Sequence, residues 1–208
     1  MSTYWQAALK THWGIEADLT RLDGEYDLNF LAETDGQAYV LKVMRPGCEA
    51  EFVALQCGAF GHISASAPEV PVPNIVTTPS GENYIEVSDE AGDMRLVWLL
   101  EKCEGRVYAE ARPKTLALVA EVGAKLGAMD LALADFTHPA LARDFKWNLM
   151  QAGWIRDALG AIAQPARRAL LGEILAEYDA LLPALTALPQ VAIHNDLNDY
   201  NILVSGSL

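Results

Sequence analysis

The sequence has few cysteines, and their spacing excludes the sites that cysteines usually build. Cys48, Cys57 and Cys103 are the three cysteines among 208 residues, with no C-x-x-C pair and no histidine at metal-ligand spacing. Such an odd, sparse set is typical of reduced thiols in a cytosolic protein. We therefore expect neither a disulfide framework nor a zinc site.

Basic residues and long apolar runs are also scarce. The 15 Lys and Arg residues face 28 Asp and Glu residues, which gives a net charge of -13. A surface of this sign repels nucleic acids and anionic lipid surfaces, so we expect neither as a partner. No apolar segment reaches the length of a membrane span, and the N-terminus does not have the pattern of a secretion signal. A cytoplasmic protein is the expectation.

Strand signals dominate the first hundred residues. A short amphipathic helix is predicted at 1–13, and one further helix, over about 49–63, follows the third strand. Apolar runs separated by turn sequences predict strands at 19–22, 28–33, 37–44, 84–87 and 94–100. Residues 1–100 are thus predicted to form an antiparallel five-stranded lobe with one helix.

The pattern becomes helical after a polar connector at 101–106. Leucine and alanine recur at helical spacing from Thr115 to Leu133, in one or two helices between 140 and 162, and from 166 to 188. Residues 107–208 are therefore predicted to form a mainly helical second lobe, and the chain belongs to the α+β class.

A polar loop near the end of the chain carries the strongest chemical pattern. Within residues 191–204, two apolar runs bracket a polar loop in which His194, Asp196 and Asn201 have the spacing H-x-D-x-x-x-x-N. Strand ends on both sides are expected to hold the loop in place. Phosphoryl transfer needs a carboxylate that accepts the proton of the attacking hydroxyl and an amide oxygen that binds a magnesium ion on the phosphates. Asp196 and Asn201 suit these two roles. The alternative is an ordinary turn, because Asn and Asp are common in turns.

Lys42 lies between apolar residues in the third predicted strand. A lysine in this setting either faces solvent at a sheet edge or places its ammonium against a bound anion. Glu49 and Glu51 begin the helix that follows, and either can reach Lys42 to hold the ammonium toward the phosphates. Alternatively, both are first-turn acids that the helix dipole favours.

Two further segments are candidates for contact with a nucleotide. Gly24, in the loop 23–27 between the first two strands, permits a close approach of backbone N–H groups to phosphates, although a plain hairpin turn explains it equally well. The last strand leads through Leu99, Leu100 and Glu101 into the connector, whose backbone can hydrogen-bond a nucleobase.

Together these motifs resemble the aminoglycoside phosphotransferase and choline kinase superfamily, small-molecule kinases with the protein-kinase fold, and within it the hydroxylysine-kinase-like branch. The segments that carry the resemblance are 25–31 (EYDLNFL), 39–43 (YVLKV), 70–76 (VPVPNIV), 136–140 (FTHPA) and 194–203 (HNDLNDYNIL). The resemblance implies a two-lobe fold and transfer of the γ-phosphate of ATP or GTP, with Mg²⁺, to a hydroxyl of a small amine or amino acid.

The resemblance also distributes roles among the candidate residues. Asp196 is the expected base, Asn201 the metal ligand and His194 the support of the loop. The residues expected to bind the nucleotide are Lys42, Glu51, Gly24, Leu99, Leu100 and Glu101.

The family pattern continues to a second metal-binding aspartate in an Asp-Phe-Gly-like triplet, and this sequence ends at Leu208 without one. We therefore expect a truncated kinase with an incomplete second lobe and weak or no turnover. The alternative is a non-catalytic kinase-like binding or assembly module, whose exposed helix faces pair with a second copy, a fused domain or a partner.

Overall fold

Strands fill the first half of the chain and helices most of the second half. The computed structural model describes residues 2–145 and 147–205. Its α-helices are α1 (Ser2–Trp13), α2 (Ala50–Ser66), α3 (Leu116–Ala132), α4 (Ile155–Ala158) and α5 (Pro165–Thr186). Its strands are β1 (Asp18–Leu22), β2 (Leu28–Glu33), β3 (Ala38–Val43), β4 (Ile75–Val76), β5 (Tyr84–Ser88), β6 (Met94–Glu101), β7 (Arg106–Val107) and β8 (Leu203–Val204). The predicted α+β class is confirmed.

The main sheet is antiparallel and has six strands rather than five. Its order is β1-β2-β3-β6-β4, and β5 also pairs with β6. β5 pairs with Met94–Trp98 of β6, whereas β4 pairs with Leu99 and Leu100. The two strands therefore follow one another along the same edge of β6. The five predicted strands are all present, and the sixth is too short to show an alternating pattern.

Alternation along the central strands places a different core on each face of the sheet. In β3, Leu41 and Val43 pack on the side of α1, whereas Val40 packs on the side of α2. The first core consists of Trp5, Ala8, Leu9, Trp13, Phe30, Ala32, Tyr39, Leu41, Val43, Ile85, Val97 and Leu99. The second consists of Met44, Val53, Cys57, Leu96, Trp98 and Leu100. Lys42 therefore belongs to the face that α2 covers.

Helix α2 buries one stripe of side chains against the sheet. Val53 and Cys57, one turn apart, are buried in the second core, whereas Phe52 is only partly buried. Burial raises the pKa of the Cys57 thiol to about 11. All three cysteines are free.

A third, smaller core joins the end of α2 to the end of α3. Ile63, Ala67 and Val70 pack there with Ala132, Leu133 and Ala192. Ala192 is the buried residue that precedes the polar loop. Residues 191–193 have no regular structure, so the predicted strand on this side of the loop is absent.

The chain divides into two compact units. One contains the residues up to Leu141 together with the segment from Ala192 onward, and the other contains Ala142–Val191. The polar loop thus belongs to the same unit as the sheet. The division into a lobe at 1–100, a hinge at 101–106 and a second lobe at 107–208 stays a prediction.

The second unit consists of α4, α5 and two short 3₁₀ segments, Leu149–Trp154 and Leu159–Ala161. Where one or two helices are predicted between 140 and 162, the structure has these two 3₁₀ segments on either side of the four-residue α4. Within the first of these segments the backbone departs from helical geometry at Gln151, which has a φ of -113° and a ψ of 16°. Across the described ranges, no helix combines the length and the apolar character that crossing a bilayer requires.

Large apolar side chains remain exposed on the long helices of the second half. On α3, Leu116 is 89% exposed and Leu131 is 78% exposed. On α5, Leu170, Ile174 and Leu181 are also exposed. These side chains contribute nothing to the three cores described above.

We expect Leu41→Ala to lower the free energy of unfolding by about 2–5 kcal/mol, because it leaves a cavity in the core between α1 and the sheet. The matched variant Leu116→Ala should change it by less than about 0.5 kcal/mol, since its side chain meets solvent. Urea denaturation of both variants checks the pair. Equal losses would contradict the placement of these leucines.

Candidate functional site

The polar loop holds the Asp196 carboxylate by hydrogen bonds from two asparagines. Asn198 Nδ2 donates to Asp196 Oδ1 at 2.8 Å, and Asn201 Nδ2 donates to Asp196 Oδ2 at 2.9 Å. Asn201 Nδ2 also donates to the backbone oxygen of Asp196 at 2.7 Å. Because the nitrogen of the Asn201 amide serves these two acceptors, its Oδ1 is left to accept from a donor or bind a cation.

The backbone of the loop is shaped by its own side chains. Asn195 has a φ of 64°, a left-handed conformation that asparagine tolerates better than most residues. The backbone N–H of Asp196 donates to His194 Nδ1 at 3.3 Å, and that of Tyr200 donates to Asn198 Oδ1 at 2.9 Å. His194 therefore lies where a support of the loop is expected.

A second strand pair attaches the loop to the connector that follows β6. β7 pairs with β8, and beyond this pair the N–H of Tyr108 donates to Ile202 O and that of Ala109 to Asp199 O, both at 2.9 Å. Gly105 has a φ of +142°, and a Cβ there would lie 2.9 Å from Val204 O. Only glycine lets the two strands approach this closely.

Asp199, the other acid of the loop, is engaged by a lysine from outside it. Lys114 Nζ lies 2.8 Å from Asp199 Oδ2 and 4.2 Å from the centroid of the Tyr108 ring. Asp196 is therefore the acid of the loop that is held by amides alone.

Lys42 lies in the middle strand of the sheet on the face that α2 covers. Its Nζ is 5.7 Å from the centroid of the Trp98 ring, and its cross-strand neighbours are Asn29 and Trp98. Burial lowers the pKa of the Lys42 ammonium, and the Asp27 carboxylate opposes part of that shift. A partly desolvated ammonium attracts an anion more strongly than a fully hydrated one does.

The expected acidic partners of Lys42 lie at the start of α2. Glu51 is exposed in the first turn, and Glu49 occupies the N-cap position without a side-chain capping bond. Within the described ranges, no ion pair joins Lys42 to either glutamate. A Lys42–Glu51 or Lys42–Glu49 pair stays a prediction for the ligand-bound protein.

The loop that contains Gly24 folds back on β2. The backbone N–H of Arg45 donates to Asp27 Oδ1 at 2.8 Å and fixes the end of the loop. A Cβ on Gly24 would lie 2.5 Å from Asn29 Nδ2 and 2.7 Å from Asp27 O. Glycine is therefore needed here for close approach within the protein itself.

The predicted nucleobase segment is the end of β6. Leu99 and Leu100 are buried in the cores on opposite faces of the sheet. The N–H of Glu101 donates to Asn74 O and that of Lys102 to Ala38 O, both at 2.9 Å. Both leucine side chains are buried in the protein core. A nucleobase can therefore contact only the backbone of this segment or the residues that follow it.

The structure adds three residues that sequence reasoning did not single out as candidates. Asn29 lies beside Lys42, Asn198 binds the Asp196 carboxylate, and Lys114 binds Asp199. Asn198 was detectable, since it stands inside the motif two residues after Asp196. The other two come from segments far from their partners in sequence, and no local pattern marks them.

The polar loop provides oxygen ligands for a cation, but not a complete set of protein ligands around one. Among the residues that the structure describes, no group of three or more His, Cys, Asp or Glu side chains could hold a metal ion. The Asp196 carboxylate and Asn201 Oδ1 are hard oxygen ligands, and Mg²⁺ commonly takes one or two protein ligands and completes its shell with phosphates and water. These residues fit a magnesium ion that arrives with a nucleotide.

Comparison with known proteins places the chain among phosphotransferases. The family model described as phosphotransferase enzyme family matches residues 18–207. Hydroxylysine kinase of Mus musculus is 28% identical over 181 residues, which cover 82% of this chain and 47% of the relative. The chain spans about half the length of this relative. The superfamily predicted from the motifs is confirmed.

Solved structures share the fold. A microcompartment-associated aminopropanol kinase aligns over 99% of this chain and 65% of its own, with a TM-score of 0.76 and 23% identity. An amicoumacin kinase in complex with AMP-PNP, Ca²⁺ and Ami aligns over 92% of this chain and 55% of its own, with a TM-score of 0.58 and 20% identity. The kinase-like fold predicted from the sequence is thereby confirmed.

We expect Gly105→Ala to loosen the attachment of the polar loop, because the added Cβ meets Val204 O and the backbone conformation is strained, at a cost of about 1–3 kcal/mol. Amide hydrogen exchange should speed up at Tyr108 and Ala109, whose N–H groups bind the loop. Gly123→Ala, on an open face of α3, should stabilise that helix by up to about 1 kcal/mol and leave both amides unchanged. Unchanged exchange in Gly105→Ala would contradict this attachment.

Proposed function

The chain belongs to the phosphotransferase enzyme family, and from this membership we propose that the protein is a small-molecule kinase. The reaction is transfer of the γ-phosphate of ATP or GTP to a hydroxyl of a small amine or amino acid. Hydroxylysine and aminopropanol, after which two similar proteins are named, each carry both an amine and a hydroxyl. This shared chemistry supports an amino-alcohol acceptor.

One observation carries the proposal. Asn201 donates both of its bonds to Asp196, so a carboxylate and a free amide oxygen stand next to each other on one anchored loop. These are the two groups that phosphoryl transfer requires at its nucleophile and at its metal ion. Positioning is most of the catalysis in this reaction, and the hydrogen bonds supply that positioning.

Asp196 is the proposed base. The acceptor hydroxyl oxygen forms a bond to the γ-phosphorus while the bond from that phosphorus to the β–γ bridging oxygen breaks. The hydroxyl proton passes to the Asp196 carboxylate, and the nucleoside diphosphate leaves. The hydrogen bonds from Asn198 and Asn201 keep the carboxylate in place for this proton transfer.

Mg²⁺ is the proposed cofactor, with Asn201 Oδ1 as its protein ligand. The ion would neutralise charge on the phosphates during transfer. The Ca²⁺ and AMP-PNP in the amicoumacin kinase structure support the use of a divalent cation and a nucleotide.

The nucleotide is proposed to bind the sheet face that carries Lys42. The Lys42 ammonium would bind the phosphates, with Glu51 as its partner, and the loop that contains Gly24 would cover them. The amides of Glu101 and Lys102 already donate to other backbone oxygens. The base would therefore meet the connector residues after the end of β6.

Nucleotide use, the free cysteines and the net charge bear on the location and the partners of the protein. A cytoplasmic location is proposed because nucleoside triphosphates are found there and the three cysteines are free. The net charge of -13 disfavours nucleic acid and anionic membrane surfaces. A cationic amine acceptor suits this charge.

A second candidate function is a kinase-like assembly module without turnover. Exposure of Leu116, Leu131 and Leu181 favours it, because apolar helix faces of this kind mark interaction surfaces. A second copy of the chain, a fused domain or a partner protein would cover them. A mass in solution above that of a single chain, together with no thermal stabilisation by MgATP or MgGTP, would favour this function over the first.

The test of the proposed function is transfer of labelled γ-phosphate from MgATP and MgGTP to hydroxylysine and to aminopropanol. Asp196→Asn should lower the rate about a hundred- to ten-thousand-fold, the usual contribution of a general base, because it cannot take up the proton. Lys42→Met should weaken MgATP binding in calorimetry. The matched control Asp18→Asn, at an exposed position of β1, should change neither.

Transfer at the wild-type rate by Asp196→Asn would overturn the assignment of the base. Absence of MgATP and MgGTP binding in the wild type would overturn the kinase proposal as a whole.

A further inference from the structure

Asn29 lies directly under the loop that contains Gly24. Its Nδ2 donates to Asp23 O at 3.4 Å, and this nitrogen would be 2.5 Å from a Cβ on Gly24. The Asn29 side chain thus occupies the space that any larger residue at position 24 would need. The conformation of the loop and the identity of residue 29 therefore depend on each other.

Asn29 is also the cross-strand neighbour of Lys42. β2 and β3 pair antiparallel with Asn29 opposite Lys42, and β6 places Trp98 opposite Lys42 on its other side. Directly opposite residues in an antiparallel pair point to the same face of the sheet. One row across three strands therefore carries an amide, an ammonium and an indole ring.

The oxygen of the Asn29 amide is unusual. Asn29 Oδ1 is buried and, among the residues that the structure describes, has no hydrogen-bond partner. Buried polar atoms in native proteins nearly always have one, so an exception calls for an explanation. An amide oxygen accepts and does not donate, so its missing partner is a donor and cannot be a phosphate oxygen.

The Lys42 ammonium has three N–H donors and lies on the adjacent strand. Its Nζ lies over the Trp98 ring, 5.7 Å from the centroid. Phosphates on this face would draw it away from the ring. A fixed acceptor beside the phosphates, such as Asn29 Oδ1, would then orient the N–H groups of the ammonium.

We propose that Asn29 is a positioning residue for nucleotide phosphates, with Nδ2 holding the Gly24 loop and Oδ1 accepting from the Lys42 ammonium when the nucleotide is bound. The inference rests on the proposed function, because it needs a phosphate ligand at Lys42. It assigns a role to a residue that does not itself contact the phosphates.

The test compares a ligand with phosphates to one without them. Asn29→Leu keeps the approximate volume and removes both ends of the amide. Isothermal titration should show MgATP binding weakened about tenfold to a hundredfold, the range for loss of a hydrogen bond to a charged group. Adenosine binding should change less than about twofold, within ordinary variation for a site left intact. Asn83→Leu, the same substitution at an exposed position of the same unit, should leave both affinities unchanged.

The outcomes separate this inference from the proposed function. Equal weakening of MgATP and adenosine, or no weakening of either, in a wild type that binds MgATP would overturn the inference alone. A wild type that binds no nucleotide would overturn the proposed function and the inference with it. If Asn29→Leu does not fold, Asn29→Ala removes the same amide without adding apolar bulk, and the same two titrations decide.

Discussion

The bond between the Asn201 amide and Asp196 is the constraint on which the account of the site depends. It closes the loop on itself, fixes the carboxylate and leaves the amide oxygen for another partner. The bond alone does not place the loop. That placement comes from the β7–β8 pair, from the close approach at Gly105 and from the buried Ala192 before the loop. Each of these packing features lies outside the motif that carries the chemistry.

Charge explains how an acidic protein can accommodate a triphosphate. A net charge of -13 opposes any polyanion at a distance. Close to the sheet, however, nearby charges determine the electrostatic potential. The partly buried ammonium of Lys42 attracts a phosphate there more strongly than distant carboxylates, which water screens, repel it. Mg²⁺ would supply the remaining positive charge at Asn201. The surface charge and the proposed ligand are therefore compatible.

Most of the sheet and the chemical motif were predictable from the sequence, for physical reasons that differ by region. The apolar run of β3 and the turn before it locate that strand. The spacing of Asp196 and Asn201 could be recognised because the two residues interact within one short loop. Residues such as Asn29 and Lys114 act through partners that only the fold brings near. The apolar residues between 140 and 162 suggested one or two helices, whereas the structure has short 3₁₀ and α segments with a kink at Gln151. Exposure of Leu116 could not be foreseen either, since its position in the pattern is that of a core residue.

The proposed function requires that Lys42 and the Asp196–Asn201 pair act on one nucleotide. Manganese replaces magnesium and broadens the nuclear magnetic resonance signals of nearby groups, so MnATP bound to the protein reports on both segments at once. The account predicts that the side-chain amide of Asn201 and the ε-methylene of Lys42 both broaden, while signals of exposed Leu116 stay sharp. Broadening at one of the two segments without the other would contradict the account.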